Sequence, residues 1–512
     1  MSQAKVKRYG SGNNPHRIYC ISPRHPENLW SLQGLVDIFG TKSLMPNPAF
    51  PLLMALTPPH LTVEYAACDE NVAPADMAAQ CDLVAITGST LHAKRIHELC
   101  AAYRGRGIPV ALGGSYATLE ADSCAGISDY HFIGEAEYTW PKFLGDWSSS
   151  TTKSVYLQKD YVDLHHSPAP DWALVDPGHY VNINIQTSRG CPNNCDFCEV
   201  VQYNGRKFRT KSVEQVMVEV ENAHTLGARS IFFSDDNFMG NKEFTRELLA
   251  RVIDWNVMQE RPLSFSTQIT IQVADDEKLL RLLADARFSV LFIGIESIKK
   301  ECLEEVNKRQ NIAPDISDKI RLISHYGIVP FPGFIVGFDN DDRSIFNDLL
   351  AFLAKTACPI AGISLLNAPR ATPLYRRLKS ENRITDQNYS GEHNLATNII
   401  PKQMSRDELF HHYVDLYKKL YEPRAFEERL LAWLKLVDYF PNIYKNKKID
   451  PKFLYNGYKL FSYFLFQADP LLRSLFCRSI PRTWKINRRL MKKYFTLMSQ
   501  YSHFYDFSNK LR

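Results

Sequence analysis

Between residues 17 and 140, short β-rich apolar runs alternate with stretches of helical periodicity. Arg17–Ile21, Thr62–Ala66, Leu83–Thr87, Pro109–Leu112 and His131–Ile133 read as strands, and His92 to Arg104 places its apolar residues at helical spacing. That alternation predicts an α/β, doubly wound, Rossmann-like parallel sheet. In such sheets ligands sit at the carboxyl ends of the strands. There the sequence places Thr87, Gly88, Ser89 and Thr90, then Gly113, Gly114 and Ser115, then Gly134 and Glu135. Small residues let a backbone approach a bulky ligand closely, and singly each group is equally ordinary turn chemistry.

A stretch rich in Ser, Thr, Pro and Asp follows (Ser148 to Thr152, Ser167 to Asp171). It predicts a boundary near 150, with 151–180 as linker and lead-in. Six further β-then-helix units come next, with strands near Val181–Thr187, Ser230–Ser234, Ser264–Gln268, Val290–Ile295, Val329–Val336 and Ala361–Leu366. Helix-like stretches separate them, among them Val213–Thr225, Lys242–Trp255 and Ser344–Lys355. Six such units predict a partial (β/α)6 barrel over 181–400, with its working face at the strand C-termini. Residues 401–512 read as a helical domain.

Charge changes the picture only at the end of the chain. Pro441 to Arg512 holds 15 Lys+Arg and three acids; the +5 of the whole less the +12 of this tail leaves −7 for residues 1–440. The tail also holds 16 of the 61 aromatics, interleaved with its cations. Two readings are open: a helical cap with its Phe and Tyr stripe buried, or a basic, aromatic face on an anionic membrane or over a greasy substrate. No base-reading motif is present, so nucleic acid is not expected. Apolar runs such as Leu460 to Phe466 fall far short of the roughly 18–20 residues that span a bilayer, and Met1 to Asn14 is polar. A cytoplasmic protein is expected, peripheral to the membrane at most. Eleven cysteines, three of them within eight residues, are no disulfide framework.

Those three carry the sharpest chemistry: Thr187-Ser-Arg-Gly190-Cys191-Pro-Asn-Asn-Cys195-Asp-Phe-Cys198. Three thiolates spaced CxxxCxxC on one loop after a strand can hold three irons of a cubane cluster, leaving the fourth iron open. A structural zinc site normally takes a fourth protein ligand, and no Cys or His in the loop supplies one. The remaining alternative is three unrelated buried thiols.

With an aromatic, Phe197, before the last cysteine, the motif resembles that of radical S-adenosylmethionine (SAM) enzymes. The resemblance extends to Phe232-Phe-Ser234-Asp235-Asp236-Asn-Phe238 after the second barrel strand, to Gly294-Ile-Glu296-Ser297 after the fourth, and to Gly333-Phe-Ile-Val-Gly337-Phe-Asp339 at the fifth. It implies that Cys191, Cys195 and Cys198 ligate a [4Fe-4S] cluster and that Phe197, Ser234, Asp235, Asp236, Gln268, Glu296, Ser297 and Gly337 bind SAM. Read alone, Asp235, Asp236 and Asn237 could equally form a solvated turn and helix cap or a hard-cation site, and Glu296 a helix-start acid.

A sheet domain before such a barrel resembles the cobalamin-binding domain of cobalamin-dependent radical SAM enzymes, the class B methylase group. The resemblance implies that Thr87, Ser89, Thr90, Gly113, Gly114, Ser115, Gly134 and Glu135 cradle cobalamin. The DxHxxG sequence of methionine-synthase-type domains is missing, which leaves the lower cobalt position to water, another residue or nothing. Within the group the chain is similar to the hopanoid C-2 methylase-like branch, through Lys42 to Pro48, Asp235 to Phe238, Asn367 to Tyr375 and Tyr421 to Phe426. It departs at Asn47-Pro48-Ala49, Pro369 to Pro373 and Ala286-Arg287. The implied activity is cobalamin-dependent methyl transfer to an unactivated carbon of a hydrophobic small molecule, a hopanoid-like lipid. In it a SAM-derived radical takes a hydrogen, the catalytic work falls to the cluster and cofactors, and flavodoxin or ferredoxin supplies electrons. The alternative is a non-methylating radical SAM enzyme that rearranges, oxidises or cyclises its substrate.

Overall fold

A computed structural model describes residues 5–26, 28–312, 315–385, 397–444 and 451–511. The chain forms two compact units: Met1–Pro26, Met45–Cys191 and Glu199–Ala228; and Glu27–Leu44, Pro192–Cys198 and Arg229–Arg512. No described helix is long and apolar enough to cross a membrane.

The first unit is built on a seven-stranded sheet in the order β1-β3-β2-β4-β5-β6-β7. Its strands are β1 (Val6–Tyr9), β2 (His16–Ser22), β3 (Val63–Asp69), β4 (Leu83–Thr87), β5 (Val110–Gly113), β6 (Tyr130–Ile133) and β7 (Val155–Leu157). All pairs are parallel except β1 with β3. Side chains of one strand alternate between two cores. Ile18 and Cys20 of β2 join Val63, Leu83 and Phe132 against Trp140 and Phe143, while Tyr19 and Ile21 join Val84, Ile86 and Val110 against Ile96, Leu99 and Tyr103. Burial on both faces is why these strands are continuous apolar runs, and the doubly wound expectation holds. Two strands differ from it. Val155–Leu157 extends the sheet from within the supposed linker, and the polar Val6–Tyr9 adds an antiparallel edge. Beyond the sheet, a two-stranded ribbon pairs β9 (Ser188–Arg189) with β10 (Arg209–Thr210).

The second unit carries β11 (Ser230–Phe233), β12 (Ser264–Ile269), β13 (Phe288–Glu296), β14 (Val329–Val336) and β15 (Gly362–Leu365), paired in parallel in chain order. They stand in the order β15-β14-β13-β12-β11, and helices follow the strands as the sequence predicts; β8 (Ile183–Ile185) lies in a segment of the first unit. A partial barrel leaves its last strand with unpaired backbone groups. Here the helix Arg406–Leu420 and Tyr421, which follows it, satisfy them. The Ile363 N–H donates to the Tyr417 hydroxyl at 2.9 Å, and the hydroxyls of Tyr413 and Tyr417 donate to the Ile363 carbonyl at 2.9 and 2.8 Å. The Ala361 N–H donates to Tyr421 at 3.1 Å, and the Tyr421 hydroxyl donates back to the Ala361 carbonyl. Four helical residues rise about 6 Å and two strand residues about 6.6 Å, so Tyr417 and Tyr421 meet Ile363 and Ala361, while Tyr413 shares the Ile363 carbonyl.

In the C-terminal helices the aromatic stripe is largely buried, as a helical cap requires. Met491–Lys510 buries Tyr494, Leu497, Tyr501, Phe504 and Phe507 as core, while Tyr458 and Phe466 are 70% and 76% exposed. Residues 27–44 belong with this region. A Cβ on Gly34 would stand 2.8 Å from the His503 Cα, and His503 Nε2 donates to the Leu29 carbonyl at 3.0 Å.

Candidate active site

In the first unit, β4, β5 and β6 are neighbours, so the three predicted glycine–hydroxyl groups form one rim at their carboxyl ends. Thr87 ends β4 and Gly113 ends β5; Gly114 then turns with φ +94° into the helix Ser115–Leu119. A Cβ on Gly114 would lie 2.5 Å from Thr87 Oγ1 and 2.9 Å from the Gly88 carbonyl oxygen, so only glycine fits. Ser89 is held by His92, whose Nδ1 lies 3.1 Å from the Ser89 N and 3.0 Å from its Oγ, and Thr90 is exposed beside it. Burial lowers the pKa of the His92 imidazole, with His25 adding to the effect, so a neutral ring that accepts from Ser89 is favoured. Gly134, at φ +90°, donates its N–H to Thr118 Oγ1 at 3.0 Å. Glu135 differs from the rest: it is buried, and both its carboxylate oxygens are taken by Arg189, Arg209 and the Val162 N–H.

The cysteine loop leaves β9 at Gly190, whose φ is +92° and whose Cβ would collide with the Lys207 carbonyl oxygen at 2.3 Å. The Cys191 N–H donates to the Gly205 carbonyl at 3.1 Å, tying the first cysteine to the ribbon's return arm. In the second unit, Cys195 to Cys198 is a tight turn in which the Cys198 N–H donates to the Cys195 carbonyl at 3.1 Å. Asp196 anchors that turn: its N–H donates to the Val306 carbonyl, its own carbonyl accepts from Leu374, and Asn307 Nδ2 donates to both its carboxylate oxygens at 3.0 Å. None of the three cysteines is in a disulfide, and each is half-buried.

Around the end of β13 the chain is strained. Glu296 stands at φ +68°, the register with β14 slips between Gly294 and Glu296, and a Cβ on Gly294 would strike Glu296 Oε1 at 2.4 Å. The Glu296 carboxylate pairs at 2.9 Å with Lys308, whose ammonium also lies 5.9 Å from the Phe197 ring centroid. Burial alone would lower the Lys308 pKa, but Glu296 and the Cys195 sulfur outweigh it and keep the side chain charged. Gln310 Nε2 donates to Cys195 Sγ at 3.5 Å, and Asn311 Nδ2 donates to the carbonyls of Gly294 and Ile295 at 2.6 and 3.1 Å. The segment Asn307 to Asn311 is therefore part of the site, although in the sequence it is only a polar run after a helix. Its signal would have been the alternation of amides with cations directly behind Glu296.

The other expected SAM contacts are placed more simply. Ser234 and Asp236 are half-buried and Asp235 is buried after β11, while Gln268 is exposed near the end of β12. Gly337 turns at φ +107° after β14, with its N–H on Asp341 at 2.9 Å. Ser297 is buried, and its hydroxyl accepts from the Lys299 N–H at 3.1 Å, a turn bond rather than an open contact.

These residues fit the groups the sequence implies. The donor set of the cysteine loop, thiols of which Cys195 receives an amide donor, is the chemistry an iron–sulfur cluster takes, and a rim that would refuse a Cβ suits a bulky flat ligand. Fold and site together define a radical SAM enzyme. Residues 185–353 match the radical SAM superfamily, and residues 372–512 match a domain of unknown function. An uncharacterized methyltransferase of Synechocystis sp. is 31% identical over 419 residues, 81% of this chain and 77% of that protein. The hopanoid C-2 methylase of Rhodopseudomonas palustris is 28% identical over 427 residues, 82% of this chain and 79% of that one. The methyltransferase TsrM of Kitasatospora setae, solved with cobalamin and a [4Fe-4S] cluster, shares the fold at TM-score 0.61 and 13% identity, covering 93% of this chain and all of that one. The chain belongs to the radical SAM methyltransferase family.

Proposed function

We propose that this enzyme transfers a methyl group to an unactivated carbon of a hydrophobic polycyclic substrate, of the hopanoid type. The observation that carries the reading is the reach of the similarity to hopanoid C-2 methylase, which runs over 82% of the chain instead of stopping at the cysteine loop. Bound at this site, the cluster and SAM supply a carbon-centred radical and cobalamin supplies the methyl group. The chain's own residues do the rest. Cys191, Cys195 and Cys198 present three thiolates, and Gln310 donates to one of them. Glu296, held by Lys308, offers a carboxylate to SAM's hydroxyl or ammonium groups. Phe197 and the strands behind it keep water from the reacting centre. Thr87, Ser89, Gly113, Gly114, Ser115 and Gly134 line the cobalamin edge.

The test is turnover of anaerobically reconstituted full chain with hydroxocobalamin, SAM, reduced flavodoxin or ferredoxin, and a pentacyclic hopanoid. Methylated lipid together with S-adenosylhomocysteine is expected. SAM cleavage without methyl transfer would refute the reading and favour the non-methylating alternative. A bacteriochlorophyllide serves as a second substrate, because a bacteriochlorophyllide d C-8(2)-methyltransferase of Chlorobaculum tepidum is 25% identical over 79% of this chain and 95% of that one.

Such a lipid is met at a membrane, and Leu454, Tyr455, Tyr458 and Phe466 offer exposed apolar surface in the basic tail; residues 445–450 lie outside the described residues. Full-length protein is expected to float with phosphatidylglycerol vesicles and a Tyr458→Ser/Phe466→Ser variant is not; equal flotation would refute membrane contact.

A further inference from the structure

Two residues before Cys191, Arg189 points its guanidinium into the first unit, where the side chain is 12% exposed. Each of its three nitrogens has an acceptor: Nη1 lies 2.7 Å from Glu135 Oε1, Nη2 2.8 Å from Glu137 Oε1, and Nε 2.7 Å from Gln186 Oε1. Glu135 is held from the other side as well. The Val162 N–H donates to its Oε2 at 2.7 Å, and Arg209 Nη1 reaches both its oxygens at 2.9 Å. Arg209 in turn donates to the carbonyls of Val162 and Asn204 at 2.7 and 3.1 Å and lies 4.8 Å over the Tyr161 ring. That ring fills the space a Cβ on Gly205 would need, and Gly205 is the residue whose carbonyl receives the Cys191 N–H.

Two routes thus run from Cys191 to one carboxylate. One passes along the chain through Arg189; the other passes through Gly205, Asn204 and Arg209. Glu135 itself directly follows Gly134, on the rim at the end of β6. Two largely buried cations meet two buried anions: loss of Arg189 would leave Glu137 without that counter-charge, and loss of Glu135 would leave Arg209 without its carboxylate, each in a low-dielectric setting. Gly190, whose backbone geometry admits no side chain, is the only residue between Arg189 and Cys191.

We propose that Arg189 is a positioning residue that fixes the Cys191 thiolate against the rim of the first sheet, with Glu135 and Glu137 as its anchors. Glu135 then acts through Arg189 and is not a cobalamin contact. The proposal goes beyond the methyl-transfer reading and stands or falls apart from it, because its readouts need no substrate.

The test uses full chain reconstituted anaerobically with iron and sulfide. Arg189→Lys keeps the charge and loses the fork; Glu135→Gln keeps the shape and loses the charge. Arg95→Lys is the control, since Arg95 likewise joins two carboxylates in the same unit, Glu70 at 2.9 and 2.7 Å and Glu98 at 2.8 Å. Iron per chain, the electron paramagnetic resonance spectrum of the reduced cluster, and hydroxocobalamin affinity are read. Arg189→Lys and Glu135→Gln are expected to lose about half their iron or more, or to shift the cluster's g-values, while Glu135→Gln binds hydroxocobalamin as the unaltered chain does and Arg95→Lys matches it throughout. Unchanged iron and spectrum in Arg189→Lys, or the same change in Arg95→Lys, would overturn the proposal. So would loss of cobalamin with normal iron in Glu135→Gln. Should Arg189→Lys fail to fold, Glu137→Gln decides: a shifted spectrum at native melting temperature supports the positioning role, and an unshifted one refutes it.

Discussion

Removing single hydroxyls from the tyrosines on β15 should destabilise the second unit by unequal amounts, and the inequality is the test. Tyr413, Tyr417 and Tyr421 are all fully buried or nearly so, as are Ala361 and Ile363. Replacing Tyr417 by Phe keeps the ring but takes away the acceptor of the Ile363 N–H, while the Ile363 carbonyl retains Tyr413 at 2.9 Å. An orphaned buried donor costs about 1–3 kcal/mol. Tyr413→Phe removes one of two donors from a carbonyl that stays satisfied, a loss of about 0.5–1.5 kcal/mol. Tyr421→Phe strips both partners from Ala361 and belongs at the upper end of the Tyr417 range. Urea midpoints give the order, and hydrogen exchange gives the cause. The Ile363 amide should lose protection in Tyr417→Phe and keep it in Tyr413→Phe. Equal midpoint shifts for Tyr413→Phe and Tyr417→Phe, or an unchanged Ile363 exchange rate in the latter, would refute the reasoning that side-chain hydroxyls stand in for a missing strand.

Lys308→Met should lower stability by about 3–5 kcal/mol by leaving Glu296 buried without its partner, and Lys308→Met/Glu296→Leu should recover most of it in urea melts; no recovery would mean the pair is not the cause. Gly114→Ala must carry a Cβ at φ +94° against Thr87 and Gly88, a cost of about 1–3 kcal/mol read as a lower melting temperature together with reduced cobalamin retention. Burial alone would raise the carboxyl of Asp339, but Arg383, Arg377 and Lys402 outweigh it and hold it well below the ordinary 3.8. The unfolded chain therefore takes up this proton first as pH falls: the contribution is full above about pH 5, begins to be lost near 3.8 and goes on falling until the pH passes the lower folded value. The urea midpoints of wild type and Asp339→Asn should keep a constant gap from pH 7 to pH 5 and converge only below pH 3.8, and a gap undiminished at pH 3 would contradict the assignment.

What the sequence disclosed depended on how far apart the cooperating residues lie. The cysteine triplet is complete within one loop, and β4 and β14 are apolar runs ended by glycines, so each was legible from its own neighbourhood. The edge strands were not. In β1 and β7 alternate side chains face solvent, leaving Val6, Val155 and Leu157 exposed in stretches that read as loop. The tyrosines spaced every fourth residue through 413–421 are a buried stripe, and their spacing carries no sign that their hydroxyls complete a sheet. His503 reaching Leu29 across 474 positions has no local trace at all. The same limit explains Glu135. At the end of a strand, beside Gly134, a carboxylate reads as a ligand contact, and only the fold reveals that its partner Arg189 waits 54 residues on, next to the first cysteine. Residue type at a strand end identifies where chemistry gathers; which of those residues touch a cofactor and which hold the ones that do is decided by partners that the linear order keeps apart.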